Sequence, residues 1–148
     1  MVQLLAAFLG SLGFALIFKI RGYQIWFAAL GGALTWGVYL FSYSYIEDYF
    51  ICYFLAAIFV AIYSEFMARF NRAPSTIFLT ATAVPLIPGG SLYYTMFGLV
   101  SDNKSMFVEN GIKTLTIALA IALGFVVIAV INKYIVRLMQ NIKKKKEI

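Results

Sequence analysis

Long apolar runs alternate with short polar breaks along the whole chain. Apolar residues dominate 2–18, 24–43, 49–70, 76–100 and 112–131. A hydrocarbon core about 30 Å thick is crossed by about 20 residues of α-helix, so each run reads as one membrane span, the first one short. The fifth helix is expected to extend to about residue 140. The breaks are only a few residues long, and no linker or repeat separates the runs. The pattern therefore predicts an all-α, polytopic membrane helical bundle of about five spans, with residues 1–148 forming one integral membrane domain. It ends in a basic tail over 133–148.

Composition strengthens this reading. The 148 residues are 63% hydrophobic and 12% charged, with mean hydropathy +0.89. A soluble domain carries about 25% charged residues, so too few are present to cover a water-facing surface. The first cations, Lys19 and Arg21, follow the first apolar run instead of preceding it, so that run reads as a retained membrane helix and not as a secretory signal.

The net charge of +6 does not point to nucleic acid, because of where the charges fall. Six of the twelve basic residues lie in the last sixteen positions, four of them as KKKK at 143–146. Such a cluster just after an apolar helix contacts anionic lipid headgroups and fixes orientation. With five spans and an outside N-terminus, the inner side collects Lys19, Arg21, Arg69, Arg72 and the tail from Lys133, ten of the twelve cations. The outer side holds Glu47, Asp48, Asp102, Lys104, Glu109 and Lys113. This is the expected distribution for a multi-pass protein of a cytoplasmic membrane with a cytoplasmic C-terminus. A re-entrant hairpin at 76–100 would put the lysine tail outside, so that segment is expected to cross.

The one unusual stretch is VPLIPGGSLYYT, from Val84 to Thr95. Pro85 and Pro88 lack N–H donors and clash with the carbonyls of Ala81 and Val84. Gly89 and Gly90 permit angles that other residues avoid. Two half-helices are expected, about 76–84 and 90–100, with the break near the bilayer midplane. Broken helices at mid-depth are a transporter device, because their ends present a positive N-terminus and a negative C-terminus to a solute. The N–H groups of Gly89, Gly90, Ser91 and Leu92 would face an anion, the carbonyls of 81–84 a cation, and Ser91, Tyr93, Tyr94 and Thr95 would add hydroxyls. A small carboxylate or zwitterion suits that pair of ends. The alternative is a proline kink healed by neighbouring helices.

Glu65 is the single acidic residue deep in an apolar run, and Arg69 lies one turn later. They read either as a pair at the inner interface or as a gate or coupling pair. Small residues recur four apart at Ala6/Gly10, Ala28/Gly32 and Ala120/Gly124, a spacing for close helix approach, within the chain or in an oligomer. The aromatics of YLFSYSYIEDYFICYF read mostly as interfacial anchors, and Cys52 as a small buried or lipid-facing residue. With no histidine and one cysteine, no histidine triad or Cys/His zinc site can form, and neither enzyme chemistry nor a cofactor is expected.

The segment SEFMARFNRAPSTIFLTATAVPLIPGGSLYYTM, residues 64–96, resembles the short membrane subunit of the threonine/serine exporter family. The shared features are the serine–glutamate and alanine–arginine pairs, Ala73–Pro74, the proline-x-x-proline-glycine core and the tyrosine–threonine–methionine end. That resemblance implies a membrane exporter component working with a second, longer membrane subunit. Its implied substrates are small hydrophilic amino acids such as threonine and serine, or dicarboxylates such as succinate. No GxxxxGK[ST] pattern is present, so export would be secondary. The rival readings are a scaffold that stabilises a partner transporter, and a channel assembled from this chain alone.

Overall fold

The computed structural model describes residues 1–20 and 22–146, with side chains described to 138. Arg21 and the lysine side chains of the tail lie outside the described residues. Every described element is helical: α1 (Val2–Ile17), α2 (Gln24–Ile46), α3 (Tyr49–Asn71), α4 (Ser75–Ala83), a 3₁₀ turn (Val84–Leu86), α5 (Gly89–Val100) and α6 (Lys104–Lys146). The chain is an all-α membrane bundle, as its apolar runs predict.

Three helices, α2, α3 and α6, are long and apolar enough to cross a membrane singly. The fourth expected span is the pair α4–turn–α5, bent by 56°. At 16 residues, α1 is about 24 Å long, shorter than the hydrocarbon core. The 43 residues of α6 extend about 65 Å, twice what a bilayer needs. It starts eight residues before the expected span, so Lys104, Glu109 and Lys113 lie on a helix and not in a loop. Asn103 caps that start by accepting from Met106 N–H at 3.1 Å. Gly98 lets the backbone of α5 approach it, since a Cβ there would lie 2.6 Å from Phe107 N.

Helix ends are marked by charged or polar residues. Asp48 caps α3, its carboxylate accepting from Ile51 N–H at 3.0 Å. Lys19, Glu47, Arg72 and Asp102 take left-handed backbone angles, φ 50–55°, just beyond the ends of α1, α2, α3 and α5.

The core lies where α2, α3 and α4 pack together and α6 closes against α3. One cluster joins Tyr39, Cys52, Tyr53, Ala56, Val60, Leu86, Ile117 and Ala120. A second joins Ala15, Ile20, Ala28, Ala68, Phe78 and Ala81. Cys52 is fully buried. Tyr39 and Tyr53 are also buried, with ring centroids 4.6 Å apart, so these two aromatics belong to the core instead of an interfacial belt. Two of the small-residue pairs serve packing within the chain: Gly32 meets Ser11, and Gly124 meets Ala57 and the Phe54 carbonyl. Ala6 and Gly10 instead face outward, with open space beside Gly10.

Three contacts between α3 and α6 fix the crossing. Lys113 Nζ sits 4.1 Å from the centroid of the Tyr49 ring. A Cβ on Gly124 would lie 2.6 Å from Ala57 Cβ. Arg69 bonds Asn132. Residue numbers rise together along both helices, so α3 and α6 run parallel. The chain leaves α3 at one end of the bundle and enters α6 at the other. The bent pair therefore carries it across and does not turn back.

Candidate functional site

The break begins where proline chemistry requires it. Pro85 sits inside the 3₁₀ turn, and Pro88 is the residue before α5. Leu86, between them, is fully buried beside Tyr53, Val60, Ile117 and Ala120, which locks the turn into the core. Tyr53 and Val60 are on α3, and Ile117 and Ala120 are in the apolar stretch of α6, so the break lies within the apolar part of the bundle.

Much of the exposed backbone is already paired. Ile87 N–H donates to the Val84 carbonyl at 3.1 Å, Gly89 N–H to the Ile87 carbonyl at 2.7 Å, and Leu92 N–H to the Pro88 carbonyl at 2.9 Å. This corrects the expectation of four free donors and a free Val84 carbonyl: among the described residues, Gly90 and Ser91 keep unpartnered N–H groups. Gly89 and Gly90 also do not use the left-handed angles expected of them. Both are exposed, and a Cβ at either would meet nothing within 4 Å. Their structural contribution is space, not unusual backbone geometry.

The side chains of the motif point in different directions. Ser91 is half-buried at the first turn of α5. Thr95 is buried, donates to the Ser91 carbonyl at 2.7 Å, and turns its methyl toward Gly111 of α6. Tyr93 and Tyr94 are exposed, 62% and 51%, on the outward face of α5. The opposite side of α5, with Thr95 and Gly98 buried, packs on α6, the main neighbour of α5 within the chain. Pro85 lines a separate shallow groove of about 300 Å³ with Gln3, Ala6, Ala7 and Trp36. Trp36 Nε1 donates to Gln3 Oε1 across it at 3.3 Å. Beneath the break, Ser64 and Thr82 lie 3.4 Å apart, and Thr82 donates to the Phe78 carbonyl at 2.7 Å. These hydroxyls are taken up by the chain itself.

Glu65 and Arg69 lie on one face of α3, 3.9 Å apart, with the carboxylate 33% and the guanidinium side chain 61% exposed. Arg69 Nη2 also donates to Asn132 Oδ1 at 2.8 Å. Asn132 was not singled out from sequence; its signal is an amide that interrupts the apolar run of α6. The pair is on the α3–α6 seam toward the C-terminal end of α3, one residue beyond Ser64, and bonds to none of the residues of the break. The structure thus presents two separate features, the break and the charged seam. Among the described residues, no group of three His, Cys, Asp or Glu could hold a metal.

The family described as Threonine/Serine exporter, ThrE, has a model that matches residues 3–131. No solved structure matches the chain.

Proposed function

Because this chain belongs to the threonine/serine exporter family, a class of multi-pass membrane transporters, we propose that it is one subunit of a secondary exporter that works with a longer membrane subunit. Its substrates are small hydrophilic solutes bearing a carboxylate, of the threonine, serine or succinate type. It sits in the cytoplasmic membrane with the N-terminus outside and the C-terminus in the cytoplasm. Export draws on an ion or solute gradient.

One observation carries the site assignment. The bent segment carries the chain between the two ends of the bundle and leaves the Gly90 and Ser91 N–H groups unpartnered in its apolar part, with open space beside Gly90. Bare donors facing hydrocarbon cost several kcal/mol, so such a terminus belongs against protein, water or solute. A carboxylate at the N-terminus of α5 satisfies both donors and the helix dipole. Ser91 supplies a hydroxyl at the same turn, and Tyr93 and Tyr94 line the side on which the partner closes the site. Pro85, Pro88, Gly89 and Gly90 shape the terminus. Thr95 supports it from behind, through its bond to the Ser91 carbonyl. Glu65 and Arg69 form the gate or coupling pair at the inner end.

The scaffold reading has its own supporting observation. The glycines have ordinary helical geometry and α5 has a largely bare face, as a helix that only docks on a partner would. The two readings separate in inverted vesicles holding the chain alone, the chain with its partner, or the pair carrying Gly89→Ala. The added methyl enters open space on a helical backbone, so the subunit still folds. The site reading expects uptake of labelled serine, threonine or succinate by the pair only, and its loss in the variant while assembly persists. Undiminished uptake favours the scaffold. Solute flux through liposomes holding this chain alone would identify a channel.

A further inference from the structure

We propose that the inner end of the α3–α6 seam is a binding site for one anionic phospholipid. The seam opens there into two adjoining grooves that share Glu65 and Asn132. One, about 460 Å³, is walled by Lys133 and Arg137 together with Ala129 and Val136. The other, about 430 Å³, is a trough of Ile62, Phe66, Ile128, Ile131 and Ile135, closed at its end by Arg69. Polar and apolar halves therefore lie side by side on the outer surface of the bundle.

Charge selects the occupant. Arg69, Lys133 and Arg137 bring three cations to the grooves, and Glu65 brings one carboxylate. Glu65 is already engaged by Arg69, and Asn132 holds Arg69 from the α6 side. Lys133 and Arg137, one turn apart, remain to face a ligand. A phosphate between them satisfies both, while an acyl chain lies along the isoleucines of the neighbouring trough. A free anion would leave that trough uncovered, and a zwitterionic lipid would bring its own ammonium against Lys133 and Arg137. Basic pockets between helices on the cytoplasmic side are suited to anionic headgroups. The shared Asn132 places the lipid beside the Glu65–Arg69 pair, so its occupancy bears on the geometry of that pair.

The test uses the full chain reconstituted in vesicles containing photoactivatable phosphatidylglycerol or photoactivatable phosphatidylcholine, followed by peptide mapping. The expected result is crosslinking concentrated on the 128–136 peptide, favouring phosphatidylglycerol. Lys133→Gln with Arg137→Gln is expected to lower that preference about tenfold. Replacing the four lysines at 143–146 with glutamine should preserve it. Soluble glycerophosphoglycerol should not compete. Equal labelling by both lipids, labelling centred on another peptide, or loss of preference only in the tail variant would each overturn the proposal. Displacement by the soluble headgroup would do the same, since it would indicate a simple phosphate site. If the double variant does not fold, the label position and lipid preference of the native chain decide the matter.

Discussion

Arg69 of α3 and Asn132 of α6 are joined by a 2.8 Å hydrogen bond, and this bond ties two parallel helices near the C-terminal end of α3. Arg69 is also 3.9 Å from Glu65, so a single guanidinium serves a carboxylate on its own helix and an amide on the next. Replacing Asn132 with leucine removes the only tie of the two that joins different helices. The arginine side chain is largely exposed, so the expected loss of stability is small, below about 1 kcal/mol. If the pair gates transport, the variant should change turnover much more than unfolding in detergent. Parallel changes in both would make the contact structural.

The direction of α6 gives a topological prediction. In a Cys52→Ser background, cysteines placed at Glu47 and Lys104 should react with an impermeant thiol reagent from the same side. A cysteine at Arg72 should react from the other side. Arg72 and Lys104 labelling from one side would mean that the bent pair turns back, and the parallel α3–α6 contacts would be wrong.

Glycines 10 and 124 make a matched comparison. A methyl on Gly124 runs into Ala57 Cβ at 2.6 Å and the Phe54 carbonyl oxygen at 3.0 Å, neither of which can rotate away. Gly124→Ala should therefore destabilise the bundle by about 1–3 kcal/mol. Gly10→Ala adds its methyl to open space and should change stability by less than about 0.5 kcal/mol. Unfolding in mixed detergent measures both. A loss of partner assembly in Gly10→Ala with normal subunit stability would instead mark the Ala6/Gly10 face as a contact between chains.

Thr95 and Ser91 should behave differently despite their similar hydroxyls. Thr95 spends its hydrogen on the Ser91 carbonyl and packs its methyl near Gly111. Thr95→Val keeps that packing and should leave substrate half-saturation within about twofold, since a single intrahelical hydrogen bond contributes about 1 kcal/mol or less to folding and does not reach the solute. Ser91→Ala should weaken half-saturation about fivefold if the hydroxyl meets the substrate. Equal effects in transport assays would count against the placement of the site at the first turn of α5.

The break was legible in the sequence because its causes are local. Missing donors and ring clashes at Pro85 and Pro88 act within one turn, so α4 and α5 begin and end within a residue or so of their expected limits. The pairing of the freed groups was not local. Whether Gly89 remains a free donor depends on how the 3₁₀ turn closes, and that depends on Leu86 joining the buried cluster while the turn packs mainly on α1 and α2. The early start of α6 was hidden for a similar reason. Lys104, Glu109 and Lys113 look like loop residues by polarity, but Asn103 capping and the Gly98 approach carry the helix through them. Tyr39 and Tyr53 share the composition of an interfacial belt; only packing across two helices reveals them as core. Glu65 and Arg69 were visible as an i,i+4 pair, while their third member, Asn132, lies 63 residues beyond Arg69.

The left-handed residues at the helix ends have a consequence for protein engineering. Lys19, Glu47, Arg72 and Asp102 each hold a conformation that glycine adopts more easily, at a cost on the order of 1 kcal/mol per site. A redesign guided by thermal stability alone would put glycine at all four positions. Two of the four, Lys19 and Arg72, are also among the loop cations that the insertion machinery reads when it sets orientation. The optimised protein would be stiffer at its turns and carry a weaker address label. Its failure would show in a mixture of inverted and upright molecules instead of a lower melting temperature.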